Sequence, residues 1–325
     1  MSASVSTSAS APLSAPLSAP VSASVSASVS ASVSASASAA FAETAPHPWD
    51  DAAQGWNHHA TSIRTWLHGA TAAMLDAAQL TRGARVLDIA AGAGDQTLDI
   101  AQRIGPGGAV LATDISPRIL ALAQDRLRAA GITTAATRVA DAQALDLAGA
   151  NFDAAVCRLG LMFCTSPLQA LQGARAALRP GGRFSALVFS QPQANPCLVI
   201  LARTAQRHAG LPERSPFEPG GLMSLGQPGL MQRLLHQAGF VDIAVQPMAA
   251  PFVLPSVQHY VDFVRSSASP VMQMLKALPP AAQAAAWDEM TEQLQVFSTP
   301  QGWAGPNELL ICSATNGVDE PPGPS

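Results

Sequence analysis

Apolar positions along the chain fall into two alternating rhythms. Short continuous or β-branched runs, Arg85–Ile89 and Ala109–Asp114 among them, read as strands buried on both faces of a sheet. Between them, apolar residues recur three and four apart, as in Ile119, Leu120, Ala123, Leu127 and Ala130, the spacing of an amphipathic helix. Further strands are expected at 134–140, 151–157, 184–189, 239–245 and 307–314, with helices over 198–208 and 230–238 and a helical insertion over roughly 256–298. Before the first strand, Ile63, Trp66, Leu67, Ala70 and Met74 mark another helix. Local signals agree: Ser116-Pro117 is a helix cap with proline in the first turn, and Pro180-Gly181-Gly182 is a turn signal ahead of the fifth strand. Strands alternating with helices predict an α/β fold with helices on both faces of a mostly parallel sheet.

Composition sets the limits. The 325 residues carry a formal charge of −4, and 48% are hydrophobic, enough for a sizeable core. Residues 1–46 are a Ser/Ala-rich tract, without any charge in its first 42 positions, expected to be disordered. Residues 47–315 form the expected domain, with insertions at 191–238 and 251–305, and 316–325 a frayed Pro/Gly-rich tail. With a pI near 5.9 there is no electrostatic footprint for nucleic acid, and outside the tail no apolar run is long enough to span a membrane. The four cysteines show neither a C-x-x-C pair nor metal spacing, so reduced thiols in a cytoplasmic protein without a metal are expected.

Candidate chemistry gathers where the first strand ends. Arg85-Val-Leu-Asp-Ile-Ala-Ala-Gly-Ala-Gly94 breaks from a strand into small residues and then resumes as a helix at Thr97, so backbone can approach a ligand closely. In an open parallel sheet, ligands sit at the carboxyl ends of the strands. A dinucleotide fingerprint would need a third glycine where Thr97 stands, and a P-loop would need Gly-Lys-Ser/Thr, which is absent. Instead, three acids close successive strands: Asp88, Asp114 and Asp141. The second is spaced from the first as an acid that accepts from both hydroxyls of a ribose would be.

The stretch Val86–Asp95 resembles the first motif of class I S-adenosylmethionine (SAM) dependent methyltransferases. Within them it is most similar to the ubiquinone/menaquinone C-methyltransferase branch, where Ala often stands at the position of Ala90 and Asp at that of Asp95. The Leu-x-Pro-Gly-Gly at 178–182 is also widespread in that superfamily. The resemblance covers residues 49–190 well and 191–315 in outline. It implies a Rossmann-like, seven-stranded methyltransferase sheet, mostly parallel with an antiparallel last strand, and helical lid insertions. It also implies SAM as cofactor, with Asp88, Ala90, Gly92, Gly94, Thr97, Asp114, Ile115, Asp141, Ala142 and Arg158 around it. The acceptor would be a small molecule, aromatic, quinone-like or polyketide-like, methylated on carbon, oxygen or nitrogen, in contact with Trp56, Met162 and Phe163. Arg158 departs from the branch, which usually has a small polar residue there.

Methyl transfer is achieved largely by holding the acceptor in line with the methyl group, so a dedicated base is needed only for a protonated acceptor. His58 and His59, expected above the cofactor, are the candidate bases. Two other readings compete: an NAD(P)-dependent reductase on a similar sheet, and a non-catalytic SAM-fold partner protein. Oligomeric state is left open by the sequence.

Overall fold

A computed structural model describes residues 48–267 and 269–317. The expected disordered tract at 1–46 and most of the C-terminal tail lie outside these residues. Helices α1 (Pro48–His58) and α2 (Ala60–Ala77) precede an alternating series. It runs β1 (Arg85–Ile89), α3 (Asp95–Ile104), β2 (Ala109–Asp114), α4 (Pro117–Ala129), β3 (Ala135–Val139), β4 (Phe152–Arg158), α5 (Pro167–Ala177) and β5 (Leu178–Phe189). After α6 (Pro196–His208) and α7 (Leu230–Gln237) come β6 (Phe240–Ala249), β7 (Phe252–Leu254), α8 (Val257–Ser267), α9 (Ser269–Leu275) and α10 (Pro280–Leu294). Strands β8 (Ser298–Thr299), β9 (Gly302–Gly305) and β10 (Glu308–Asn316) close the chain's described part.

Seven strands form one sheet in the order β3-β2-β1-β4-β5-β10-β6. The first five pair in parallel, and β10 runs antiparallel to both β5 and β6, as expected from the sequence. The continuous apolar runs occupy its centre: Val86, Leu87, Ala155 and Val156 are fully buried. The edge strand β3 instead alternates between half-buried and exposed positions. Ser116 caps α4 as predicted, its hydroxyl accepting from the Ile119 N–H at 3.1 Å.

Two features depart from the sequence reading. The Pro180-Gly181-Gly182 segment does not precede the fifth strand but bulges out of it: Phe152 pairs with Leu178 and Ala154 with Arg183, which loops out the residues between. A second sheet, β7-β9-β8, has one strand before the helical insertion and two after it, and was not foreseen, because strands of two to four residues are too short to show alternation. It is anchored by Trp303, which is fully buried, stacks on Tyr260 at 4.6 Å and donates from Nε1 to the Leu294 carbonyl at 2.8 Å.

Candidate functional site

The carboxyl ends of β1, β2, β3 and β4 open on a cavity of about 400 Å³ roofed by α1 and α2. Its floor is the small-residue loop after β1. Ala90 sits at φ 53° and Leu159, at the end of β4, at φ 59°, two non-glycine residues in the left-handed region facing one cavity. Such strain persists only where the surroundings impose it, and it gathers at functional sites. The Ala91 N–H donates to the Thr113 carbonyl at 2.9 Å, tying the loop to β2. Gly92, at φ 58°, has nothing within 4 Å of where its Cβ would be, so a ligand can lie directly on its backbone.

Asp114 and Asp141 both line this cavity. Asp114 accepts from the Gly92 N–H through Oδ2 and from the Ser116 N–H through Oδ1, each at 3.0 Å. Asp141 accepts from the Gln143 N–H at 2.8 Å, and Ala142 stands next to it on the wall. Ile115 is 36% exposed, unusual for so large an apolar side chain here, and offers a flat greasy surface beside Asp114. Ala90, Gly92 and Arg158 complete the predicted residues found on the wall, with Trp56 and Phe163 from the predicted acceptor set.

Asp88 is different. It is fully buried beneath the loop and does not line the cavity. Oδ2 accepts from the Thr97 hydroxyl at 2.6 Å, and Oδ1 accepts from the Gln96 amide. Thr97, for the same reason, faces Asp88 rather than a ligand. Asp88 and Thr97 therefore brace the start of α3 from below. Gly94 and Met162 also lie off the wall: a Cβ on Gly94 would meet that of Ala123 at 2.9 Å, and Met162 is buried with its carbonyl accepting from Ser224 Oγ at 2.6 Å.

Burial pushes the Asp88 carboxyl up from 3.8 to about 6, against the two side-chain hydrogen bonds and Arg158. An acid with a raised folded-state pKa favours folding most when protonated, so its contribution is full below pH 3.8 and lost as pH rises through 6. The shift is worth about 3 kcal/mol. The stability difference between wild type and Asp88→Asn, read from melting temperatures, is expected to fall by that order between pH 4 and 7. A difference that stays flat over this range contradicts the assignment.

The histidines are not where a base would be needed. His58 is exposed and His59 half-buried, they pack on each other at 4.7 Å, and His59 also packs on Phe263 at 5.4 Å. Neither lines the cavity. Burial, with the neighbouring His58, holds the His59 imidazole below its ordinary value. Cys164 does reach the wall, but burial pushes its thiol up to about 12, which leaves it protonated.

Sequence reasoning missed an ion-pair chain on the loop side. Asp95 accepts from Arg64 Nη1 through Oδ1 and from Arg158 Nη2 through Oδ2, each at 3.0 Å, while Arg64 also reaches Asp99 at 2.6 Å. Arg158 donates in addition to Thr71 Oγ1 at 2.9 Å. Arg158 thus pairs with Asp95, and Asp153 pairs with Arg179 at 2.7 Å. Of the clustered tryptophans, Trp66 packs α2 onto Phe252 and donates to the Ala250 carbonyl, whereas Trp49 and Trp56 face the cavity. Trp49 meets Phe163 edge-on at 4.7 Å, and Trp56 donates to the Ser267 carbonyl at 3.0 Å, holding the roof in place.

Residues 63–203 match the ubiE/COQ5 methyltransferase family. The ubiquinone/menaquinone biosynthesis C-methyltransferase UbiE of Pasteurella multocida (strain Pm70) is 34% identical over 127 residues, which is 39% of this chain and 47% of the relative. The chain thus spans about half the length of the curated relatives it matches. Two solved structures share the fold at 16% identity. Phosphoethanolamine N-methyltransferase 2 of Haemonchus contortus, in complex with S-adenosyl-L-methionine, has a TM-score of 0.53 over 86% of this chain and 62% of its own. The [4+2]-cyclase SpnF has a TM-score of 0.52 over 85% of this chain and 98% of its own. The resemblance to class I SAM-dependent methyltransferases on the UbiE side is borne out over the matched segment, and nothing among these relatives favours a reductase. No helix among the described residues is long and apolar enough to cross a membrane.

Proposed function

We propose that the chain is a SAM-dependent methyltransferase acting on a small, largely apolar, aromatic or quinone-like acceptor. The observation that carries this is one cavity with Asp114 and Asp141 at the tips of adjacent strands beside the bare backbone of Gly92. That donor set fits a nucleoside. In this reading Asp114 accepts from a ribose diol, Asp141 and the Ala142 backbone meet an adenine edge, and Ile115 gives the ring an apolar face. When bound, SAM supplies an electrophilic methyl group on a sulfonium centre.

The chain's own residues then have three tasks. The small-residue loop and Asp114 fix the nucleoside, while Trp49, Trp56, Ile63, Leu159 and Phe163 enclose an apolar space next to it and keep water out. Such confinement supplies effective molarities of about 10⁵–10⁸ M when the reacting atoms are aligned. Among the described residues no histidine or tyrosine lines the wall, and the Cys164 thiol stays protonated, so the site favours an acceptor that is already nucleophilic over one needing a strong base. No residue of the insertions at 191–238 and 251–305 is among those lining the cavity; the second one props the roof, where the carbonyl of Ser267 in α8 holds Trp56.

The test is calorimetry with S-adenosylhomocysteine, then transfer from labelled SAM to a metabolite extract. Asp114→Asn is expected to weaken S-adenosylhomocysteine binding by roughly ten- to a hundredfold, the worth of a charged hydrogen bond. It should also erase the preference for 5′-methylthioadenosine over its 2′,3′-dideoxy analogue. A folded wild-type protein that gives no heat with S-adenosylhomocysteine refutes the reading.

A further inference from the structure

Two guanidinium groups line the cavity, and their situations differ. Arg158 is paired, through Asp95 and Thr71. Arg126, on α4, is half-buried in the wall and makes one side-chain hydrogen bond among the described residues, from Nη2 to the neutral Asn57 Oδ1 on α1 at 3.1 Å. Among the described residues no carboxylate forms an ion pair with it. Asp95, whose charge Arg126 feels, has one oxygen turned to Arg64 and the other to Arg158.

The carboxylates near Arg126 are engaged elsewhere: Asp95 by Arg64 and Arg158, and Asp99 by Arg64. Burial lowers the pKa of Arg126, Asp95 opposes that shift through space, and Arg158 and Arg64 add to it. A desolvated cation with unused donors in a fixed fork is a receptor for a planar anion.

We propose that Arg126 is an anion-binding residue of the cavity and takes a carboxylate of a bound ligand. This rests on the SAM reading above. Two molecules in that reading can bring a carboxylate: the amino-acid tail of the cofactor, or an acidic group on the acceptor. Because Asn57 orients the guanidinium from α1, a bound carboxylate would join α1 to α4 and steady the roof over the site.

The experiment compares wild type with Arg126→Gln and Arg126→Lys by calorimetry. The probes are S-adenosylhomocysteine, 5′-methylthioadenosine, which keeps the nucleoside and thioether but lacks the amino-acid tail, and 4-hydroxybenzoate added to the S-adenosylhomocysteine-loaded protein. If the tail is the partner, Arg126→Gln loses tenfold or more on S-adenosylhomocysteine and less than twofold on 5′-methylthioadenosine, with Arg126→Lys in between. If the acceptor is the partner, both nucleosides bind the variant as they bind wild type, and 4-hydroxybenzoate binds loaded wild type but not loaded Arg126→Gln. Parallel weakening of both nucleosides shows a structural role and overturns the proposal, as does unchanged binding of all three probes. A wild-type protein that binds neither nucleoside fails earlier, at the SAM reading itself, and takes the proposal with it. Melting temperatures within a few degrees of wild type establish that each variant is folded.

Discussion

Gly160→Ala is expected to cut S-adenosylhomocysteine affinity by roughly a hundredfold or more, with a far smaller loss of stability. The new Cβ would lie 2.3 Å from the Cβ of Ala90 and 3.2 Å from Cys157 Sγ. Neither neighbour is the free end of a flexible chain. Cys157 is fully buried in β4, and Ala90 belongs to a loop already held at φ 53°. The loop is the softer partner, so it moves, and Gly92 and the Asp114 contact move with it. Overpacking of this kind costs about 1–3 kcal/mol in stability. Binding suffers more, because displacements of about an ångström undo an aligned site. The companion variant Ala90→Gly/Gly160→Ala removes the colliding methyl and is expected to recover most of the affinity. Calorimetry and a thermal melt on the three proteins check both statements. Equal affinity in wild type and Gly160→Ala would show that Ala90 does not set the loop's position.

The second large effect is expected at Asp95. The side chains of Arg158 and Asp95 are only 8% and 13% exposed, and Asp95 also holds Arg64. Asp95→Ala leaves Arg158 buried beside Arg126 and Arg64 with its main counter-charge gone. Breaking a buried pair from one side costs about 3–5 kcal/mol, which for a domain of this size lowers the melting temperature by roughly 10 °C. Asp95→Ala/Arg158→Met removes both charges, and Arg64, 42% exposed and still paired with Asp99, returns to water at little cost. The double variant should therefore melt well above Asp95→Ala. If the two single losses simply add, the pair is not coupled in the way the geometry indicates.

The residues that carry the fold were readable in the chain. Buried strands announce themselves as unbroken apolar runs because both faces of a central strand lose water. The helix of 117–129 was equally plain, since its cap, its proline and its apolar stripe are all local features. The three acids were found at strand tips by the same logic. The sequence could not say which way each would turn. Asp114 and Asp141 face the cavity, whereas Asp88 turns under the loop, because Gln96 and Thr97 from the next helix supply the donors that hold it there.

Arg126 shows the other limit. Along α4 it follows Ile119 and Ala123 on a packing face, and nothing local marks it as part of a site. It becomes one only because α1, some 70 positions earlier, lies across α4 and brings Asn57 to 3.1 Å. His58 and His59 lie off the cavity wall for the converse reason. They lie on the helix that forms the roof, but its packing sets them outside the cavity.

The sequence by itself thus determined the sheet, its parallel order, the glycine-rich elbow and the acids at the strand tips. The strands and the elbow follow from hydrophobic periodicity and backbone freedom within a few residues, while the seven-stranded arrangement with its antiparallel last strand came from the family resemblance. Tertiary structure alone decided which charges meet, which are sealed and which face the cavity. Those outcomes depend on where helices from distant parts of the chain cross, and burial acts on a charge only after they have done so.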